Sequence, residues 1–277
     1  MFCAKLSFSI ILVGLGALVS VGAQPHQANA QTVSNQDWSP VPDGPFHWQL
    51  QGTVDVPESI LIVDADLFET TADQVRNWRA AGLFPICYIN VGAAEDWRDD
   101  FAFFPKETIG NTYWGWDGEY WLDIRRFERF SDVMIARFDL CRDKGFLAVE
   151  PDNIDAFEAD FSSKPTGFAI TREDQLRYVN WLIDLAHARG LAIGQKNALE
   201  LVPDLINHMD FALLESAFQQ GFMMEFDPYI AQGKPVFAVE YLEEGADPAA
   251  FCPDAKIHGF QGVVAHHDLD RTVQNCP

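Results

Sequence analysis

The sequence predicts an α/β fold, a single (β/α)8 TIM-type barrel. Three observations carry the prediction. Eight apolar runs of three to five residues are spread along the 277-residue chain. Apolar on both faces, they read as buried parallel strands. Long connections, several with helical periodicity, separate them. A doubly wound open sheet is the alternative, but the Gly-rich phosphate turn such sheets often carry after the first strand is missing.

The first thirty residues read as an export signal. Lys5 is the sole early charge, Leu6 to Val21 is almost wholly apolar, and cleavage is expected after Ala23 or Ala30. Residues 31–45, rich in Gln, Asn, Ser and Pro, read as a linker, and the barrel is expected over 46–277. The expected location is secreted or periplasmic. Contact with a membrane is not expected after cleavage, since no later stretch has the about 20 apolar residues of a spanning helix.

The strands are expected at Trp48–Leu50, Ile60–Val63, Ile86–Asn90, Phe146–Glu150, Leu191–Gln195, Phe211–Leu214, Val236–Glu240 and Val263–Ala265. Between them, Thr71 to Ala81 reads as a helix with Val75 and Trp78 inward and Gly82 as its stop. Phe127 to Lys144 reads as another, ended by Gly145. Thr171 and Asp174 have the spacing of a capping box. Leu176, Val179, Leu182, Ile183 and Ala186 then recur at helical intervals up to Gly190. The connection from Val91 to about Phe127 is long and holds four of the eight tryptophans: Trp97, Trp114, Trp116 and Trp121. Such a loop is usually functional. It is expected to split between a small core of its own and an aromatic wall for sugar rings.

Composition narrows the partners. A formal net charge of -22 disfavours nucleic acid and anionic surfaces and suits a cationic or neutral ligand. An apolar fraction of 48% provides for a large core and argues against disorder. A monomer is expected. Of five cysteines, Cys3 leaves with the signal, and an even number in an exported chain suggests disulfides. Cys252 and Cys276 are expected to pair. For Cys87 and Cys141 a disulfide and buried free thiols both remain open.

Residues just past the C-terminal ends of barrel strands face the active site. By that rule Asp64 and Asp66, Glu150 and Asp152, Lys196 and Asn197, Glu215, Glu240 and Tyr241, and His266 and His267 all reach one rim. Clustered histidines, which a catalytic metal would want, are limited to an adjacent pair, so no metal and no cofactor are expected. No G-x-S-x-G elbow supports serine chemistry. Two carboxyls working across a glycosidic bond remain, one as acid and the other as nucleophile or base.

Seven segments then match one family in order: CYINVGAAEDWRDD (87–100), GWDGEYWLDIR (115–125), GFLAVEPDNIDAF (145–157), TGFAITREDQLRY (166–178), GLAIGQKN (190–197), DFALLES (210–216) and GKPVFAVEY (233–241). The chain resembles glycoside hydrolase family 114, of the endo-α-1,4-polygalactosaminidase type. The resemblance implies Asp152 as nucleophile and Glu215 as general acid/base. It implies Asp66, Tyr88, Glu95, Arg98, Trp116, Asp123, Asn153, Lys196, Asn197, Glu240 and Tyr241 as cleft residues, and a cationic amino-sugar polysaccharide as partner. Glu150 is expected to bond within the rim and Asp155 to cap the next helix, while Arg98 and Arg125 equally suit salt-bridged scaffolding. The chain departs from the family pattern at Glu215-Ser216-Ala217 and Glu225-Phe226, where a pair of cysteines is common, so a looser loop beside Glu215 is expected. A non-catalytic carbohydrate-binding barrel and a hydrolase of a neutral α-linked glycan are the alternatives.

Overall fold

The computed structural model describes residues 38–159, 165–270 and 273–277; the expected export signal and the first part of the linker lie outside the described residues. In chain order the elements are β1 (Phe46–Trp48), β2 (Ile62–Asp66), α1 (Ala72–Ala80), β3 (Phe84–Asn90), β4 (Ala93–Glu95), β5 (Ile109–Thr112), β6 (Glu119–Leu122), α2 (Ser131–Lys144), β7 (Ala148–Asp152), α3 (Ala156–Ala159), α4 (Arg172–His187), β8 (Ala192–Lys196), α5 (Val202–Leu205), β9 (Phe211–Glu215), α6 (Ala217–Gln220), α7 (Asp227–Ala231), β10 (Val236–Tyr241), α8 (Pro248–His258), β11 (Gln261–Ala265) and β12 (Val273–Asn275).

The main sheet runs β1-β2-β3-β7-β8-β9-β10-β11-β12. Its first eight members are parallel and each overlaps one of the eight apolar runs, which makes the fold a (β/α)8 barrel. β12 pairs antiparallel to β11 at the closing seam, where the Asn275 amide donates to the Phe46 carbonyl. Strand alternation sorts side chains into two cores. Phe46, Ile62, Ile86, Phe211, Phe237 and Val263 fill the barrel interior. Ile89, Val149, Ile193 and Leu214 face outward into a larger core under the helices. The interior is tight: a Cβ on Gly194 would lie 2.4 Å from the Phe211 ring.

Capping chemistry sets the helix starts. Thr71 with Gln74 opens α1, and Thr171 with Asp174 opens α4, each as a reciprocal capping box. α2 starts four residues later than the periodicity suggests. Residues Ile124–Arg129 instead form a 3-10 stretch broken at Arg126 (φ -125°, ψ 33°). Gly145, at φ 96°, ends α2 as expected. β1 lies two residues earlier than read, because the Leu50 and Gln51 amides turn away to the Leu269 carbonyl. The β1–β2 connection carries no helix. Gln49 stitches it instead, donating to the Gln51 and Thr53 carbonyls and accepting from the Asp55 amide.

The long connection after β3 folds on itself. β4, β6 and β5 form a separate antiparallel sheet in that order. Phe104 and Trp121 are buried in its core, whereas Trp97, Phe103, Trp114 and Trp116 remain exposed. Arg137 of α2 anchors this excursion, with a bidentate pair to Asp100 and a 2.7 Å bond to the Asn90 carbonyl. Two disulfides are present among the described residues. Cys87–Cys141 ties β3 to α2, and Cys252–Cys276 ties α8 to the seam.

Candidate active site

Three successive strands end alike. The residue after β7, β8 and β9 is Asn153 (φ 61°), Asn197 (φ 41°) and Ser216 (φ 54°), each left-handed. Such backbone is uncommon outside glycine, although Asn tolerates it better than most. These turns end the ladder just past Asp152, Lys196 and Glu215, and two of them are secured by side chains. Asn153 donates to Asn90 Oδ1 (3.1 Å), and Asn197 Oδ1 accepts the Glu215 amide (2.9 Å). The Val91 and Gly92 amides meanwhile bond the Asp152 carbonyl, so close that a Cβ on Gly92 would sit 1.8 Å from the Asn153 oxygen.

Lys196 is the hub. Its Nζ lies 2.7 Å from Glu150 Oε1, 2.9 Å from Asp152 Oδ1 and 2.9 Å from Glu215 Oε2, and 4.9 Å from the centre of the Trp48 ring. Burial alone would pull this ammonium down, but Asp152, Glu150 and Glu215 outweigh it and hold the pKa well above the ordinary lysine value. Tyr88 donates to Asp152 Oδ2 (2.9 Å), and Tyr241 donates to Glu215 Oε1. Burial, reinforced by the carboxylate each one faces, raises both phenols well above their usual range, so both stay protonated.

Beneath the hub, Asp64 is fully buried, and neither of its carboxyl oxygens meets a donor; nor does Glu150 Oε2. Burial first, then Glu150, holds Asp64 well above the carboxylate range. A proton on Asp64, donated to Glu150 Oε2, gives that orphaned oxygen a partner and leaves Glu150 Oε1 to Lys196.

Of the cleft residues that the resemblance implies, Tyr88, Lys196, Asn197 and Tyr241 converge on Asp152 and Glu215. Asp66, Glu95 and Arg98 form an adjoining ion network, with Arg98 bidentate to Asp66 (3.1 and 2.6 Å) and 3.1 Å from Glu95. Asp123 is buried and committed to a bidentate pair with the half-buried Arg125. Trp116 is 45% exposed in the turn between β5 and β6. Glu240 is buried behind Glu215, where it accepts the Phe218 (2.8 Å) and Gln219 (3.3 Å) amides. Ser216, next to the position of a common family cysteine (here Ala217), donates to Glu244 (2.6 Å). The loop beside Glu215, expected to be looser, is thus tied by hydrogen bonds. His266 and His267 each pair with a different glutamate, Glu243 and Glu244, and diverge as adjacent residues of an extended segment do.

Sequence reasoning passed over Glu119 and Asn90. Asn90 holds Glu119 Oε2 at 3.1 Å, and burial, then Asp152, pushes the Glu119 carboxyl up to about 8. The signal was present, since Glu119 lies inside the matched GWDGEYWLDIR segment. Asp155, read as a helix cap, lines a cavity together with Glu158, Gln220 and the aromatic excursion.

A barrel whose C-terminal rim gathers paired carboxyls has the architecture of a glycosidase. The comparisons with known proteins agree. A model of glycoside-hydrolase family GH114 matches residues 27–277. The crystal structure of Aspergillus fumigatus Ega3 in complex with galactosamine superposes with a TM-score of 0.80 at 30% identity, covering 86% of this chain and 97% of that one. The glycoside hydrolase domain of PelA from Pseudomonas aeruginosa shares the fold, with a TM-score of 0.62 at 15% identity, covering 84% and 97%. An uncharacterised Deinococcus radiodurans protein is 24% identical over 94% of this chain and 89% of its own length. An uncharacterised Thermotoga maritima protein is 24% identical over 43% of this chain, which spans 36% of that protein. The chain belongs to glycoside-hydrolase family GH114 and is a glycoside hydrolase.

Proposed function

We propose that this glycosidase is an exported, endo-acting enzyme that cuts α-1,4-linked, galactosamine-containing polysaccharide with retention of configuration. One observation carries the reading: Asp152 and Glu215 share the Lys196 ammonium at 2.9 Å each. Asp152 attacks the anomeric carbon as its bond to the leaving sugar breaks, and Glu215 delivers a proton to the departing oxygen. The Glu215 carboxylate then takes a proton from water, whose oxygen displaces Asp152 from the sugar. Lys196 and the Tyr88 hydroxyl each hold one oxygen of Asp152 and orient it for attack. The Tyr241 hydroxyl, which can donate or accept, serves Glu215 in both of its protonation states.

A cationic substrate is supported by the galactosamine held in the Ega3 structure, by a rim rich in acids, and by the net charge of -22. A cleft of one sign concentrates ligands of the other. Attraction of this kind is screened over about 10 Å at 0.1 M salt, so kcat/KM on the polycation should fall as salt rises.

The test is incubation with partially deacetylated α-1,4-galactosaminan, reading shorter oligomers by mass spectrometry. The wild type should release them. Asp152→Asn and Glu215→Gln should each lower turnover at least about 100-fold while the circular dichroism spectrum persists. Near-normal activity of either variant refutes its assigned role. Intact polymer with the wild type refutes the substrate.

A further inference from the structure

A cavity of about 490 Å³ opens beside the paired carboxyls, lined by Tyr113, Trp114, Trp121, Asp155, Glu158 and Gln220, with Ala159. Its walls come from three places in the chain. Asp155 and Glu158 follow Asp152 by three and six residues, Gln220 ends the short helix after Glu215, and the aromatic residues belong to the excursion after β3. The space lies near the reaction centre: two of its lining residues, Tyr113 and Asp155, are within electrostatic reach of Asp152, Glu215 and Lys196.

The lining is chemically one-sided. Among the described residues it has two carboxyls, an amide and three aromatic rings, and no basic residue. The nearby base, Lys196, is already held by three carboxylates. Glu158 Oε1 is buried without a hydrogen-bond partner. Trp114 is 66% exposed, an apolar ring face of the size that stacks on a pyranose. Two side-chain carboxyls fall well short of the six to eight oxygens calcium takes, but they suit a single ammonium group.

We propose that this cavity is a sugar subsite in which Asp155 and Glu158 receive the free amino group of a hexosamine while Trp114 stacks on its ring. The inference rests on the galactosaminan reading and deepens it, because it locates the discrimination between free and N-acetylated sugars at two named carboxyls. Their protonation is consistent with this role. Burial first, then the Asp152 charge, pushes Asp155 up to about 6, and burial with Asp155 and Glu200 pushes Glu158 up to about 7. An incoming ammonium supplies the charge that these groups lack. N-acetylation removes that charge and adds bulk.

The experiment has two arms, both on the full chain. The first measures calorimetric binding of a galactosamine trisaccharide and its N-acetylated counterpart to the inactive Asp152→Asn protein. Adding Glu158→Gln should weaken the free-amine trisaccharide at least tenfold, about 1.4 kcal/mol, and the acetylated one much less. Trp114→Ala should weaken both alike. Glu173→Gln, an equal charge change on an exposed turn of α4, should alter neither. The second arm measures kcat/KM for deacetylated and acetylated polymer with Asp152 intact, and Glu158→Gln should lower their ratio tenfold. An unchanged preference in a folded Glu158→Gln protein, confirmed with Asp155→Asn, overturns the subsite even if galactosaminan is cleaved. Loss of preference in the binding arm upholds it even if the polymer is not cleaved, a result that would refute the hydrolytic reading alone.

Discussion

Asp152 Oδ1 and Glu215 Oε2 are held within about 5.8 Å of each other, because one Lys196 ammonium lies 2.9 Å from each and two legs of 2.9 Å cap the span between these oxygens. Retaining glycosidases place their carboxyls about 5–5.5 Å apart, whereas inverting ones need about 6.5–9.5 Å to admit a water. The first-formed product should therefore keep the anomeric configuration of the substrate. Proton NMR during the first minutes of hydrolysis reads this directly, and a β-configured first product from an α-linked polymer would count against the pairing.

Lys196→Met should be far more damaging than loss of an ordinary surface lysine. It leaves Glu150, Asp152 and Glu215 facing one another with no counter-charge, and removing one partner of a buried ion pair typically costs about 3–5 kcal/mol. For a domain of this size about 2–4 °C is lost per kcal/mol, so calorimetry should find Tm lower by roughly 6–20 °C. A fall of only a degree or two would mean the acids are neutral without it.

Stability should decline from pH 5 to pH 8. Glu119 titrates near 4.5 when unfolded and at about 8 when folded. Between those values the native state holds a proton that the unfolded chain has released. The stabilisation is complete below about 4.5 and is lost as pH rises through about 8. At about 1.36 kcal/mol per pKa unit, less relaxation of the site, the loss from this group is on the order of 2–3 kcal/mol. Asp155 at about 6 and Glu158 at about 7 act in the same direction. Denaturant titrations across this range should show the decline, and Glu119→Gln should flatten it. A wild-type slope of opposite sign would rule out burial as the dominant influence.

The two disulfides should differ in reducibility. Cys87 and Cys141 are both fully buried, whereas Cys276 is only half-buried beside the seam. Mild reductant should open Cys252–Cys276 in the native protein and leave Cys87–Cys141 closed until unfolding. Loop-closure entropy assigns about 3–4 kcal/mol to each bridge, spanning 24 and 54 residues. Alkylation with peptide mapping separates the two. Simultaneous opening would contradict this reading.

The barrel was legible because its signals are local. Each strand is a short run buried on both faces, and α4 announces itself through Thr171 and Asp174. The α2 boundary was not legible. Phe127 continues the apolar pattern, but its turn is 3-10 and closes against α4, where its ring lies 5.3 Å from Tyr178. The excursion's aromatic residues carried no label dividing core from surface, since Trp121 and Trp114 look alike until a sheet forms beneath one of them.

By itself the sequence determined which residues reach the rim, because strand period and strand ends are properties of a short stretch of chain. Which rim groups pair with which was decided only by the tertiary structure. Lys196 on β8 joins Glu150 and Asp152 of β7 and Glu215 of β9, and Glu240, equally a rim acid in the sequence, turns to the α6 amides instead. The physical reason is desolvation. Once the rim is buried, each charge must find a partner close by, and which partner lies close depends on strand stagger and tilt, which composition and spacing do not encode.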